Sequence, residues 1–106
     1  LAASVKMVQK QITIDTIKEA VCGYYGLDVS RLLERTRKRE VVVARQMSMY
    51  LAKKYTSLSL AGIGDVLGKK DHATVLHACK TITEQIGVDK KLRADLEEIE
   101  QRIQQG

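Results

Sequence analysis

The stretch from Ser59 to Ile82, SLAGIGDVLGKKDHATVLHACKTI, constrains this chain more than any other. Ser59 to Leu67 reads as a short helix with Ile63, Val66 and Leu67 on its apolar side. Gly68-Lys69-Lys70 breaks it, because a glycine just past a helix can take positive φ at no steric cost. Asp71 stands where an N-cap belongs, its carboxylate able to accept from the free N–H groups that open the next helix. Two helices joined by a three-residue turn with glycine have the layout of a helix-turn-helix.

The second helix of that unit divides into two faces at about 100° per residue. Val75, Leu76, Cys79, Ile82 and Ile86 are expected to point inward. Ala73, Thr74, His77, Lys80 and Thr81 are expected to point outward, with Asp71 and His72 at the tip. The outward set is small, polar and slightly basic, which suits insertion into a DNA major groove.

The rest of the chain is consistent with an all-α fold of about six helices. It has no proline and few alternating β-branched runs. Its 106 residues, 44% of them apolar, fit one small domain with a modest core. No apolar run approaches the ~18 to 20 residues that span a bilayer, and no secretory signal opens the chain. A start at Leu1 rather than Met points to a piece of a longer protein. Cys22 and Cys79 lie among apolar residues and form no C-x-x-C pair, the pattern of buried free thiols.

Residues 1–11 have weak apolar spacing and read as the end of an interdomain linker, leaving 12–106 as the domain. Thr13 to Tyr25 is a helix with Ile14, Ile17, Val21 and Tyr24 at helical spacing, closed by Gly26. A short helix from Asp28 or Val29 to about Leu33 follows, with Leu32 and Leu33 inward. Glu34 to Glu40 is a cation-dense loop. Val41 to Tyr55 is the long central helix, with Val43, Ala44, Met47, Tyr50 and Leu51 facing the core. On another side it presents Arg45, Gln46 and Lys53, with Met49 between them. A last helix from about Val88 to Gln105 carries Leu92, Leu96, Ile99 and Ile103 as its apolar stripe, with Asp89 near its cap.

Charge is concentrated in the centre of the chain. The net charge is +5, yet residues 31–54 hold eight basic residues against two acidic ones, while residues 84–106 hold six acidic against four basic. A polyanion-binding surface requires such an asymmetry. A flexible arginine-rich loop beside a helix-turn-helix can lie along the phosphates or put an arginine into the minor groove.

Other chemistries fail on spacing. A phosphate loop ending in Gly68-Lys69 would need glycine at Ile63 and a hydroxyl at Lys70. His72 and Cys79 project to similar sides but His77 points away, so no three metal ligands converge. Asp71 and His72 have no nucleophile or second carboxylate beside them.

The string GDVLGKKDHATVLHACKTI, above all Lys70-Asp71-His72 followed by Thr74 to Lys80, resembles the C-terminal DNA-binding domain of the bacterial chromosomal replication initiators, the DnaA family. The resemblance runs from about Ile12 to about Gln85. It implies sequence-specific binding of double-stranded DNA, at DnaA boxes of the chromosomal origin, to initiate replication. It places base contacts at Arg37 in the minor groove, at Leu60 and Ala61 on thymine methyl groups, and at Asp71, His72 and Ala73 in the major groove. It places phosphate contacts at Arg39, Arg45, Gln46, Lys53, Thr74 and His77. The family commonly has proline where Ala61 stands and a hydroxyl residue where Ala73 stands.

The resemblance further implies no enzymatic activity, cofactor or metal in this domain. ATP is expected in another domain of the parent initiator. It also implies a cytoplasmic, nucleoid-associated setting, with the rest of the initiator and its regulators as partners. Two alternatives stand beside this reading: a transcription regulator built on the same unit, and a helical protein-interaction domain using the acidic last helix.

Overall fold

A computed structural model describes residues 12–34, 36–68 and 71–105, the side chain of residue 105 excepted. The expected linker end at residues 1–11, and the cations Arg35, Lys69 and Lys70, lie outside the described residues. The fold is all-α. In chain order it comprises α1 (Ile14–Tyr25), a 3-10 helix (Val29–Leu33), α2 (Arg39–Tyr55), α3 (Leu60–Val66), α4 (His72–Gln85) and α5 (Lys90–Gln105).

Local chemistry sets most of the boundaries. Thr13 Oγ1 accepts from the amide of Thr16 at 3.2 Å and starts α1. Gly26, at φ 71°, ends it in the left-handed conformation, with its N–H donating to the carbonyl of Cys22. Ser59 Oγ accepts from Gly62 N at 3.0 Å to open α3. Asp89 Oδ1 accepts from the amides of Lys91 and Leu92 at 3.0 and 3.1 Å to open α5. Each of these caps fills donors that the first turn of a helix leaves free.

The central helix α2 packs against α1, α3, α4 and the 3-10 helix. Its Val41, Ala44, Met47, Met49, Leu51 and Ala52 are buried, and so are Ile17, Val21 and Cys22 of α1. It begins at Arg39, two residues before the expected start, so Arg39 and Glu40 belong to its first turn rather than to the cationic loop. Met49, expected between the polar residues of α2, is 1% exposed. Leu33, expected inward, is 48% exposed while Leu32 is fully buried. A 3-10 helix has three residues per turn, so neighbouring side chains diverge widely and only one of two adjacent leucines can face the core.

Helix α5 lies against α1. Leu96, Ile99 and Ile103 are buried there, and Leu92 is half-buried. Asp95 is buried as well, at 6% exposure. Its carboxylate accepts from the hydroxyl of Tyr24 at 2.5 Å and from that of Tyr25 at 3.4 Å, and Lys91 Nζ stands 3.6 Å away. The two tyrosine rings meet edge to face at 5.2 Å, and the Arg102 guanidinium sits over Tyr24. Further along, Glu100 accepts from Lys54 Nζ at 2.6 Å and from the Tyr55 hydroxyl at 3.1 Å. The acidic last helix is therefore held on the domain by carboxylates that find donors on α1 and α2.

Candidate nucleic-acid interface

Asp71 makes the second helix of the motif start where it does. Gly68, at φ 99°, turns the chain after α3 in a conformation that side chains resist. Asp71 follows with extended backbone, and its Oδ1 accepts from Thr74 N at 2.8 Å. Hydrogen bonding from Thr74, hydroxyl first and amide second, holds the Asp71 carboxyl below the usual carboxylate range. Asp71 thus stays charged at neutral pH, with Oδ1 committed to the cap.

Helix α4 packs on α2 and α3 through Val75, Ala78 and Ile82, all buried. His72, Ala73, Thr74, His77 and Lys80 are exposed, as expected. Two positions differ from expectation. Thr81, expected outward, is half-buried. Leu76, expected in the core, is 55% exposed. The buried face of Val75, Ala78 and Ile82 centres near Ile82, and Leu76 lies about 120° away from it. Cys79 is half-buried, its Sγ 3.7 Å from the carbonyl oxygen of Met49, and burial raises its thiol pKa.

The cationic loop exposes Arg37 and Lys38, and Arg39 stands exposed at the start of α2. A cleft of about 360 Å³ lies between this loop, α2 and the second half of α4. Arg37, Arg39 and Gln46 line it together with Thr81, Gln85 and Asp89. Three of the expected DNA contacts are therefore brought to one place. Lys53 is exposed, two helical turns beyond Gln46 on the same side of α2. It forms no ion pair among the described residues, whereas its neighbour Lys54 is held by Glu100.

Arg45 is set apart from this group. It is 9% exposed, and its Nε donates to the carbonyl of Leu32 at 2.8 Å. One of its terminal nitrogens donates to the carbonyl of Glu34. Arg45, expected at a phosphate, ties the beginning of the cationic loop to α2 in the free chain. Burial lowers its pKa, yet a guanidinium stays charged in proteins.

Leu60 is half-buried against the core and Ala61 is exposed beside it, at the start of α3. Lys38 and Lys80 are exposed cations on the loop and on the outward face of α4, and neither is among the expected contacts. The signal for Lys80 was its place two turns beyond Ala73 on the outward face.

Comparison with known proteins agrees with this architecture. Residues 14–82 match the family described as "Bacterial dnaA protein helix-turn-helix". The chain is 54% identical over 91 residues to the chromosomal replication initiator protein DnaA of Bacteroides thetaiotaomicron, an alignment covering 86% of this chain and 19% of that protein. It is 46% identical over 99 residues to the protein of that name from Flavobacterium psychrophilum, covering 93% and 21%. With the one from Chloroflexus aurantiacus the identity is 42% over 96 residues, covering 91% and 20%. The chain spans about a fifth of the length of these curated relatives.

Proposed function

The chain belongs to the bacterial dnaA protein helix-turn-helix family, and on that premise we propose that it is the DNA-reading domain of a replication initiator, binding double-stranded boxes at a chromosomal origin. The observation that carries this reading is the pairing of two exposed elements on one scaffold. The outward face of α4 bears His72, Ala73, Thr74, His77 and Lys80 with no acidic side chain in its first two turns, and the loop before α2 bears exposed Arg37 and Lys38.

Helix α4 enters the major groove by its capped tip. There the Asp71 carboxylate accepts from a cytosine amino group and His72 donates to a base edge. Ala73, and Ala61 from α3, meet thymine methyl groups. Thr74, His77, Gln46, Lys53 and Arg39 hold phosphates and set the register without reading sequence. Arg37 reaches the adjoining minor groove, where A·T tracts deepen the negative potential. One chain reads two grooves, so the site need not be palindromic.

This assigns no catalytic step to the chain. On this reading ATP binding falls to the rest of the initiator, which together with regulatory proteins is the partner of this domain, in the cytoplasm. No helix among the described residues is long and apolar enough to cross a membrane.

Titration of an origin-box duplex and a scrambled duplex at several salt concentrations tests the reading. A preference for the box, retained as salt rises while both affinities fall, supports it. Equal binding of both duplexes at every salt concentration refutes sequence-specific recognition.

A further inference from the structure

We infer that Leu76 is a specificity-determining residue of this chain, reading the C5-methyl group of a thymine in the major groove; the inference rests on the DNA-binding reading above. Single exposed leucines are ordinary on protein surfaces, so it is the position that carries the argument. Four large apolar side chains are exposed among the described residues: Leu33, Leu58, Leu76 and Val88. Of these, Leu76 alone lies on α4.

The face it occupies follows from what α4 buries. Val75, Ala78 and Ile82 point into the core. Opposite them, at about 100° per residue, lie Ala73 and Lys80, flanked by His77 on one side and Leu76 on the other. Leu76 is one turn beyond His72 and three residues beyond Ala73, the two positions at the tip that face the bases. A helix docked by that tip brings its second turn along the same groove, as recognition helices do.

The chemistry selects the partner. A leucine side chain has no donor or acceptor for a base edge or a phosphate. The apolar feature of the major-groove floor is the thymine methyl. At 55% exposure Leu76 leaves more than half its surface to water in the free chain, so covering it against a methyl removes apolar surface from water on both sides.

Uracil pairs as thymine does and lacks only that methyl. In a box duplex, each thymine is replaced by uracil in turn, and affinity is measured for the unmodified chain and for Leu76→Ala. At one thymine the unmodified chain is expected to lose roughly four-fold, the worth of one buried methyl group. Leu76→Ala is expected to lose a similar factor on the all-thymine duplex and nothing further at that uracil. Leu76→Met, which keeps an apolar side chain, is expected to restore the response. Because residue 76 is exposed, these variants should keep the helical circular dichroism of the parent. If Leu76→Ala responds to every uracil as the unmodified chain does, the inference is overturned although the domain still reads boxes. If the unmodified chain prefers no box over a scrambled duplex, the DNA reading itself fails and this one with it.

Discussion

Arg45 on α2 donates from Nε to the carbonyl oxygen of Leu32, thirteen residues earlier, at 2.8 Å. A second donor of the same guanidinium reaches the carbonyl of Glu34, so one buried cation fills two backbone acceptors where the 3-10 helix gives way to the cationic loop. Arg45→Met should leave both carbonyls without these partners and cost roughly 1.5–3 kcal/mol of stability, the range for hydrogen bonds to charged groups. Urea denaturation measures it. Because this guanidinium is engaged within the protein, the variant should leave the salt slope of DNA binding almost unchanged. A slope shallower by one phosphate would return Arg45 to the DNA backbone.

Lys53 behaves in the opposite way. It is exposed and forms no ion pair among the described residues. Lys53→Ala should keep the fold, weaken box and random duplexes alike, and make the slope of log affinity against log salt shallower by about 0.9. A selective loss on the box duplex would count against a phosphate role.

Arg37 is exposed beside the cleft that it shares with Arg39 and Gln46. Arg37→Ala should cost roughly 1–3 kcal/mol on the box, the worth of a good base contact. The loss should shrink when the A·T pairs facing the loop become G·C, since the guanine amino group obstructs the minor groove. An equal loss on both duplexes makes Arg37 a backbone contact.

Ala73 is exposed in the first turn of α4. Ala73→Thr adds a hydroxyl at a position where the family carries one, and it meets no core residue. It should sharpen discrimination at the facing base pair by about one hydrogen bond, on the order of 0.5–1.5 kcal/mol. Affinities for the four base pairs at that position, with and without the substitution, decide it. Unchanged ratios would show that residue 73 reads nothing.

Tyr24 and Tyr25 give the domain an alkaline limit. The Tyr24 hydroxyl is pushed above its ordinary value of 10.0, first by its hydrogen bond to Asp95. The Tyr25 hydroxyl is pushed up chiefly by burial. Above that ordinary value the unfolded chain releases tyrosine protons that the folded chain retains, so stability falls with rising pH. It should be fully present below pH 10.0 and decline beyond it. Tyr24→Phe should flatten the decline in denaturation midpoints across that window; an unaltered decline would place its origin elsewhere.

The elements were legible where a single residue dictates local backbone. Asp71, Asp89, Gly26 and Gly68 act where they stand, and the cap or turn each supplies needs only its near neighbours. Legibility ended where burial is decided by distant partners. Asp95 interrupts an apolar stripe and reads as a solvated acid, until two tyrosines from seventy residues earlier supply its donors. Arg45 reads as a surface cation because backbone carbonyls leave no mark in a sequence. Leu76 was misplaced because hydrophobic periodicity weights large side chains. The buried set Val75, Ala78 and Ile82 centres near Ile82, and Ala78 at its edge carries little apolar weight, so the apolar pattern alone swings toward the leucine. The outward positions of Ala73, His77 and Lys80 survive that rotation because they lie well away from either centre, and His72 is exposed as the first residue of the helix.

The tether from Arg45 to Leu32 and Glu34 also bears on how quickly and how tightly the loop engages DNA. An untethered loop must surrender about 1–2 kcal/mol of conformational freedom for each residue it orders in a groove. Pinned where it leaves the 3-10 helix, and merged into α2 at Arg39, this loop has made part of that sacrifice during folding. On the proposed reading, Arg37 is then delivered by a short arm of restricted reach, which searches fewer conformations before it meets the duplex. On the proposed reading, releasing the pin shortens the lifetime of the complex by the disorder it restores.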